Sequence, residues 1–85
     1  MKKTHIASID SFLIPPVATP EEVRIKRQQM GLLQRELADL LGVTEFSVYR
    51  WETGKRSITP AHTQRLREVF AEWHAKQRAK AKSAT

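Results

Sequence analysis

The chain has no cysteine, which excludes disulfides and thiolate zinc sites and suits a reducing compartment. It has no glycine-rich phosphate loop, and His5, His62 and His74 stand at no spacing that pairs them as metal ligands. No cofactor and no metal are therefore expected, and no enzyme activity. Long apolar runs are also missing: the longest, residues 12–17, is broken by Pro15 and Pro16 and is too short to span a bilayer. Met1-Lys2-Lys3 is basic, but His5, Ser8, Asp10 and Ser11 interrupt any apolar core of a secretion signal. The expectation is a soluble, cytoplasmic protein with no membrane partner. Negative charge is the scarcer kind, with nine Asp and Glu against fifteen Lys and Arg and a formal charge of +6. A polyanion is then the first guess for a partner, although charge alone does not decide it. Eighty-five residues suit one small domain with a modest core and leave no room for a second catalytic lobe.

What is present divides into three parts: an N-terminal arm at 1–18, a helical domain at 19–75 and a basic tail at 76–85. The arm scatters Ile6, Ile9, Phe12 and Ile14 among small polar residues before the Pro-Pro pair. It reads equally as a disordered leader or as an extended segment that docks on the domain or on a second subunit. Thr19 then supplies an N-cap, Pro20 the first helical position and Glu22 the reciprocal carboxylate of a capping box. This predicts a first helix over 20–30, stopped by Gly31. Arg27 lies on the stripe of Val23 and Met30 and wants an acidic partner at the edge of the buried face.

A second helix is expected over 34–41, with Leu37 and Leu41 one turn apart and Ala38 allowing close approach of another helix. Gly42 ends it, and Thr44 caps a third helix over 45–52 that buries Val48 and Trp51. Two short amphipathic helices joined through one glycine have the layout of a helix-turn-helix. Subtracting Val48 and Trp51 leaves Glu45, Phe46, Ser47, Tyr49 and Arg50 on the open face. A helix made only for structure rarely leaves Phe and Tyr in water beside an Arg. Aromatic faces can meet thymine methyls, and Arg can pair with guanine through two bonds. Lys55 and Arg56 follow in a loop, and Thr59-Pro60 opens the last helix. There Leu66, Val69 and Phe70 are expected to close the core, with Trp73 a turn farther out as a candidate for a dimer contact or for cover by the arm. The tail carries Lys76, Arg78, Lys80 and Lys82 without an acidic neighbour and reads as a frayed basic helix or as disorder.

Residues 30–56 resemble the DNA-binding domain of the Cro/C1 phage-repressor type, also called XRE-like. Gln34, Leu37-Ala38, Leu41-Gly42, Val48, Trp51-Glu52 and Gly54 fall at the spacing used in that family. The resemblance implies an all-α, lambda-repressor-like bundle of four to five helices, encoded by a bacterium, phage or plasmid. It further implies that Glu45, Phe46, Ser47, Tyr49 and Arg50 face the bases, while Gln34, Arg35, Thr44, Lys55 and Arg56 meet phosphates. Arg27 and Glu52 correspond to a partly buried ion pair. The implied function is a repressor that binds a palindromic operator in double-stranded DNA as a homodimer through residues 44–52, with Ile9, Phe12, Phe70 and Trp73 as candidates for the dimer contact. The alternative is an antitoxin that controls its own operon and binds a toxin through the arm or tail. RNA binding is the weaker reading, since no stacking platform of interleaved aromatics is evident. Two departures stand out. Leu33 occupies a position that usually carries a capping side chain, so an orphan amide must find water, Gln34 or a phosphate. Glu45 is unusual beside phosphates, and could accept from a cytosine amine or face away.

Overall fold

The computed structural model describes residues 16–84, and within them the chain forms four helices and no strand. They are α1 (Pro20–Gln29), α2 (Gln34–Leu41), α3 (Glu45–Glu52) and α4 (Pro60–Ala84). Ile9 and Phe12, with most of the arm, lie outside the described residues.

Each helix starts where its local chemistry directs. Thr19 Oγ1 accepts from the Glu22 N–H at 3.1 Å and Pro20 takes the first turn of α1. Thr59 does the same for α4, accepting from the His62 N–H at 3.1 Å. Met30 caps α1 rather than extending it, and packs half-buried against the core. Gly42 ends α2 at φ +71°, which an L side chain would adopt only at a cost. The Val43 N–H then closes back on the Ala38 carbonyl at 3.0 Å, and this tight exit sets the angle between α2 and α3.

The core consists of Val23 from α1, Leu37, Ala38 and Leu41 from α2, Val48 and Trp51 from α3, and Leu66 and Val69 from α4. Ala18 and Ile58, from the segments leading into α1 and α4, complete it. Thr63 is buried among these apolar groups, and its hydroxyl is satisfied by the Ala18 N–H at 3.0 Å. That bond pins the chain entering α1 to α4.

Two sequence expectations need correction. Phe70 is not part of the closed core: it is half-buried at the rim, with the Lys26 ammonium 4.8 Å from its ring centroid. The buried stripe of α4 instead runs through Thr63, Leu66 and Val69, because Ile58 and Ala18 fill the space on that side. Nor does the Glu22 carboxylate fold back into a capping box. It crosses to α4, where Arg67 Nε and Nη2 donate to it at 2.8 and 2.9 Å, and Lys26 Nζ lies 3.3 Å away. The hydrogen-bonded Arg67 holds the Glu22 carboxyl below its ordinary pKa; burial opposes that, and Lys26 assists it. A bidentate guanidinium gains more from the carboxylate than a single backbone amide would.

Candidate nucleic-acid interface

The surface that the sequence singles out is built on α3. Thr44 Oγ1 accepts from the Ser47 N–H at 3.1 Å and lies 3.0 Å from Ser47 Oγ, so the two hydroxyls are tied together at the start of the helix. Val48 and Trp51 fix the inner face, Trp51 with its ring 5.4 Å from that of His62. At the far end, the Arg50 carbonyl accepts from the Lys55 N–H at 2.9 Å and the Arg56 N–H at 3.2 Å. This turn, which passes through Gly54 at φ +75°, sets two exposed cations beside the carbonyl end of α3, where the helix dipole favours them.

The outer face carries an unusual ridge. Phe46 is 63% exposed and Tyr49 41% exposed, and their rings lie 6.3 Å apart at 15° to one another. The Arg50 guanidinium carbon sits 5.2 Å from the Phe46 centroid, a cation–π contact that restrains a long side chain without removing it from solvent. Glu45 is exposed, while Ser47 and Arg50 are half-buried. Gln34 joins Glu45, Phe46 and Tyr49 around a shallow concavity, so the first residue of α2 and the ridge of α3 form one continuous surface.

Beneath that surface lies a charged network. Arg27 Nε donates to Glu52 Oε2 at 2.6 Å and Nη2 to Oε1 at 3.0 Å, while Nη1 donates to the Leu32 carbonyl at 2.9 Å. The Glu52 bonds raise the Arg27 pKa above its already high ordinary value, against the opposing effect of burial. Gln34 Nε2 donates to Glu52 Oε1 at 3.2 Å. The last residue of α3 therefore holds both the loop before α2 and the side chain that opens α2.

Leu33 provides no capping atom, and Gln34 does not turn back to the backbone in its place. Instead the Glu36 carboxylate accepts from the Leu33 N–H at 2.8 Å, half of a capping box that the sequence reading overlooked although Glu36 stands three residues after Leu33. Among the described residues, no acceptor meets the amides of Gln34, Arg35 and Glu36. They form an open, positive helix end. Arg35 is exposed beside them.

On another side of the domain, Met30, Leu32, Leu40, Val69 and Trp73 line a groove of about 220 Å³, with Arg65, Glu72 and Lys76 at its rim. Trp73 is half-buried there, its ring 5.6 Å from that of Phe70, and Leu40 is 46% exposed. Among the described residues, no group of acidic, His or Cys side chains could hold a metal ion, and no helix is long and apolar enough to cross a membrane.

A short helix with one face buried and an aromatic ridge on the other, entered from a second helix through a glycine turn, defines a helix-turn-helix protein. A family model described as helix-turn-helix matches residues 23–71, more than half of the chain. The chain belongs to that family, in its Cro/C1 (XRE-like) branch, whose members are DNA-binding transcriptional regulators. It is also 36% identical over 70 residues to a protein of Pyrobaculum aerophilum described as a proposed HTH-type transcriptional regulatory protein. The match takes in 82% of this chain but only 28% of that protein, so the chain spans less than a third of the relative's length. No solved structure matches the chain significantly.

Proposed function

We propose that this domain is a sequence-specific DNA-binding module of a transcriptional regulator, acting as a repressor on a near-palindromic operator. The observation that carries this reading is the Phe46–Tyr49–Arg50 ridge, exposed on a helix whose opposite face is sealed by Val48 and Trp51. Placed in a major groove, Arg50 reads guanine, the two rings meet thymine methyls, and Glu45 accepts from a cytosine amine. Ser47 serves at the flank. Thr44, Arg35 and the open amides of α2 take phosphates on one side of the groove, and Lys55 and Arg56 on the other. Gln34 keeps donor capacity for a phosphate after its bond to Glu52, since a side-chain amide carries two N–H groups.

One recognition helix reads too few base pairs for useful specificity, so the active form is a homodimer. The apolar groove with the exposed Leu40 and the half-buried Trp73 favours a second copy on that side, with the Phe70 ring 5.6 Å from that of Trp73.

The test is selection from a randomised duplex pool at moderate salt. A consensus site should emerge, on which Arg50→Ala loses about 1–3 kcal/mol at one position while Lys55→Ala weakens all sequences alike. Recovery of no consensus would overturn the reading.

A further inference from the structure

Glu45 is the least expected residue on the outer face of α3. It is exposed, and among the described residues its carboxylate has no hydrogen-bond or ion-pair partner. Brought against a duplex, such a group loses water beside a dense row of phosphates, and it weakens binding unless a donor on a base edge meets it. In the major groove two bases offer an amine, cytosine at N4 and adenine at N6.

The surroundings of the carboxylate decide between them. Glu45 lines one shallow concavity with Gln34, Phe46 and Tyr49. The Gln34 amide is anchored on Glu52, and the two rings, 6.3 Å apart and inclined by 15°, form an apolar wall. Adenine carries the N7 acceptor beside its amine, and an aromatic wall would leave that acceptor unpaired. Cytosine carries C5 there, the ring atom next to the one that bears N4, and it has no polar group to strand. A methyl on C5 would leave the base on the side of the wall. Thymine has that methyl, but in place of the amine it has the O4 acceptor, which a carboxylate repels. Among cytosine, thymine and 5-methylcytosine, only the last presents a donor and a methyl together. The separation of the rings equals about two base steps of roughly 3.4 Å, so the wall is long enough to meet a neighbouring thymine as well.

We propose that this concavity reads 5-methylcytosine in duplex DNA, with Glu45 accepting from N4 and the Phe46–Tyr49 wall covering the C5 methyl. This rests on the reading of α3 as a major-groove helix. Methylation of one cytosine in the site then strengthens binding, and the order of preference at that position is 5-methylcytosine, cytosine, thymine.

The experiment first finds the position, by comparing the consensus selected by the parent chain with that selected by Glu45→Ala. Duplexes differing there alone, with cytosine, 5-methylcytosine or thymine on that strand, are then titrated with the parent, Glu45→Ala and the Phe46→Ala/Tyr49→Ala double variant. For the parent, 5-methylcytosine should bind about fourfold more tightly than cytosine, and thymine about tenfold more weakly than cytosine. Glu45→Ala should bind thymine and 5-methylcytosine equally, both about fourfold better than cytosine, because the wall remains and the repulsion of O4 is gone. The double variant should no longer distinguish 5-methylcytosine from cytosine, yet still reject thymine. Equal or weaker binding of the methylated duplex by the parent overturns the proposal. A methyl preference that survives in the double variant also overturns it, since the rings would not be its source. If no position changes with Glu45→Ala while Arg50→Ala still alters the consensus, Glu45 faces away from the bases and this proposal alone fails; if the parent selects no consensus, the reading of α3 fails with it.

Discussion

Breaking the Arg27–Glu52 pair should cost this small domain a large part of its stability, and in a way that separates pairing from packing. The Glu52 side chain is only 5% exposed and that of Arg27 15%, so either partner left alone would keep an ionised group out of water. Arg27→Met leaves the Glu52 carboxylate with Gln34 as its remaining donor, and should destabilise by about 3 kcal/mol. Glu52→Leu should cost less, about 2 kcal/mol, because the longer Arg27 keeps the Leu32 carbonyl and can turn its other nitrogens toward solvent. The Arg27→Met/Glu52→Leu double variant leaves no stranded charge and should cost only about 2 kcal/mol in total, so the coupling energy is about 3 kcal/mol. The assay is urea unfolding followed by Trp fluorescence, with equal m-values required across the four proteins. By thermal unfolding the Arg27→Met loss would be on the order of 15 °C. Additive single-variant costs, with coupling below about 0.5 kcal/mol, would refute the argument that the pair is desolvated and interdependent.

Three further outcomes follow from other contacts. The Glu22 carboxyl has a lowered pKa in the folded chain, so its contribution is fully present above its unfolded value, near 4.5, and is lost as pH falls through the folded value. Stability should therefore decline below about pH 4.5, and Glu22→Gln should flatten that acid limb in pH-dependent thermal scans; an unchanged limb would mean that Arg67 does not bias this titration. Replacing thymine by deoxyuridine at the positions facing Phe46 and Tyr49 removes one methyl each, and should weaken binding about fourfold per methyl in a fluorescence titration; the loss should vanish in Phe46→Ala, and persistence there would place the methyl contact elsewhere. Trp73→Ala should shift the solution mass from dimer toward monomer by sedimentation; a parent that is already monomeric at assay concentrations would contradict the homodimer.

Features encoded within a few residues were readable directly. Thr19-Pro20, Thr44 and Thr59-Pro60 start helices, Gly42 turns the chain, and the bounds of α2 and α3 follow from these and from the spacing of Leu37, Leu41, Val48 and Trp51. The open face of α3 was legible by subtraction, since few residues of so short a helix can be buried. Partners distant in sequence were not legible from spacing; Arg27 and Glu52 were paired through the family resemblance alone. Glu22 and Arg67 are 45 residues apart, and the carboxylate had a plausible local use as a cap. The orientation of α4 was hidden for a related reason: Thr63 is a buried polar residue whose acceptor is used by the Ala18 N–H, and an apolar stripe drawn from Leu66, Val69, Phe70 and Trp73 passes over it. Without Thr63 and Ile58 the pattern is centred too near Phe70, which places at the core a ring that belongs to its edge.

The way α3 is held should let its outer face be varied apart from stability at some positions and not at others. The Thr44 hydroxyl holds its first turn, and its last turn is held by the bonds of Glu52 to Arg27 and Gln34 and by the Arg50 carbonyl accepting from Lys55 and Arg56. The backbone between these ends is positioned without help from Glu45, Phe46 or Tyr49, whose side chains project into solvent. Substitutions at those three positions should therefore change sequence preference at little cost to folding. Glu52 is different, because the same carboxylate neutralises a half-buried cation and fixes the Gln34 side chain beside the ridge. A change there perturbs the core and the pose of α2 together, so a loss of DNA affinity in a Glu52 variant would not by itself identify Glu52 as a DNA contact.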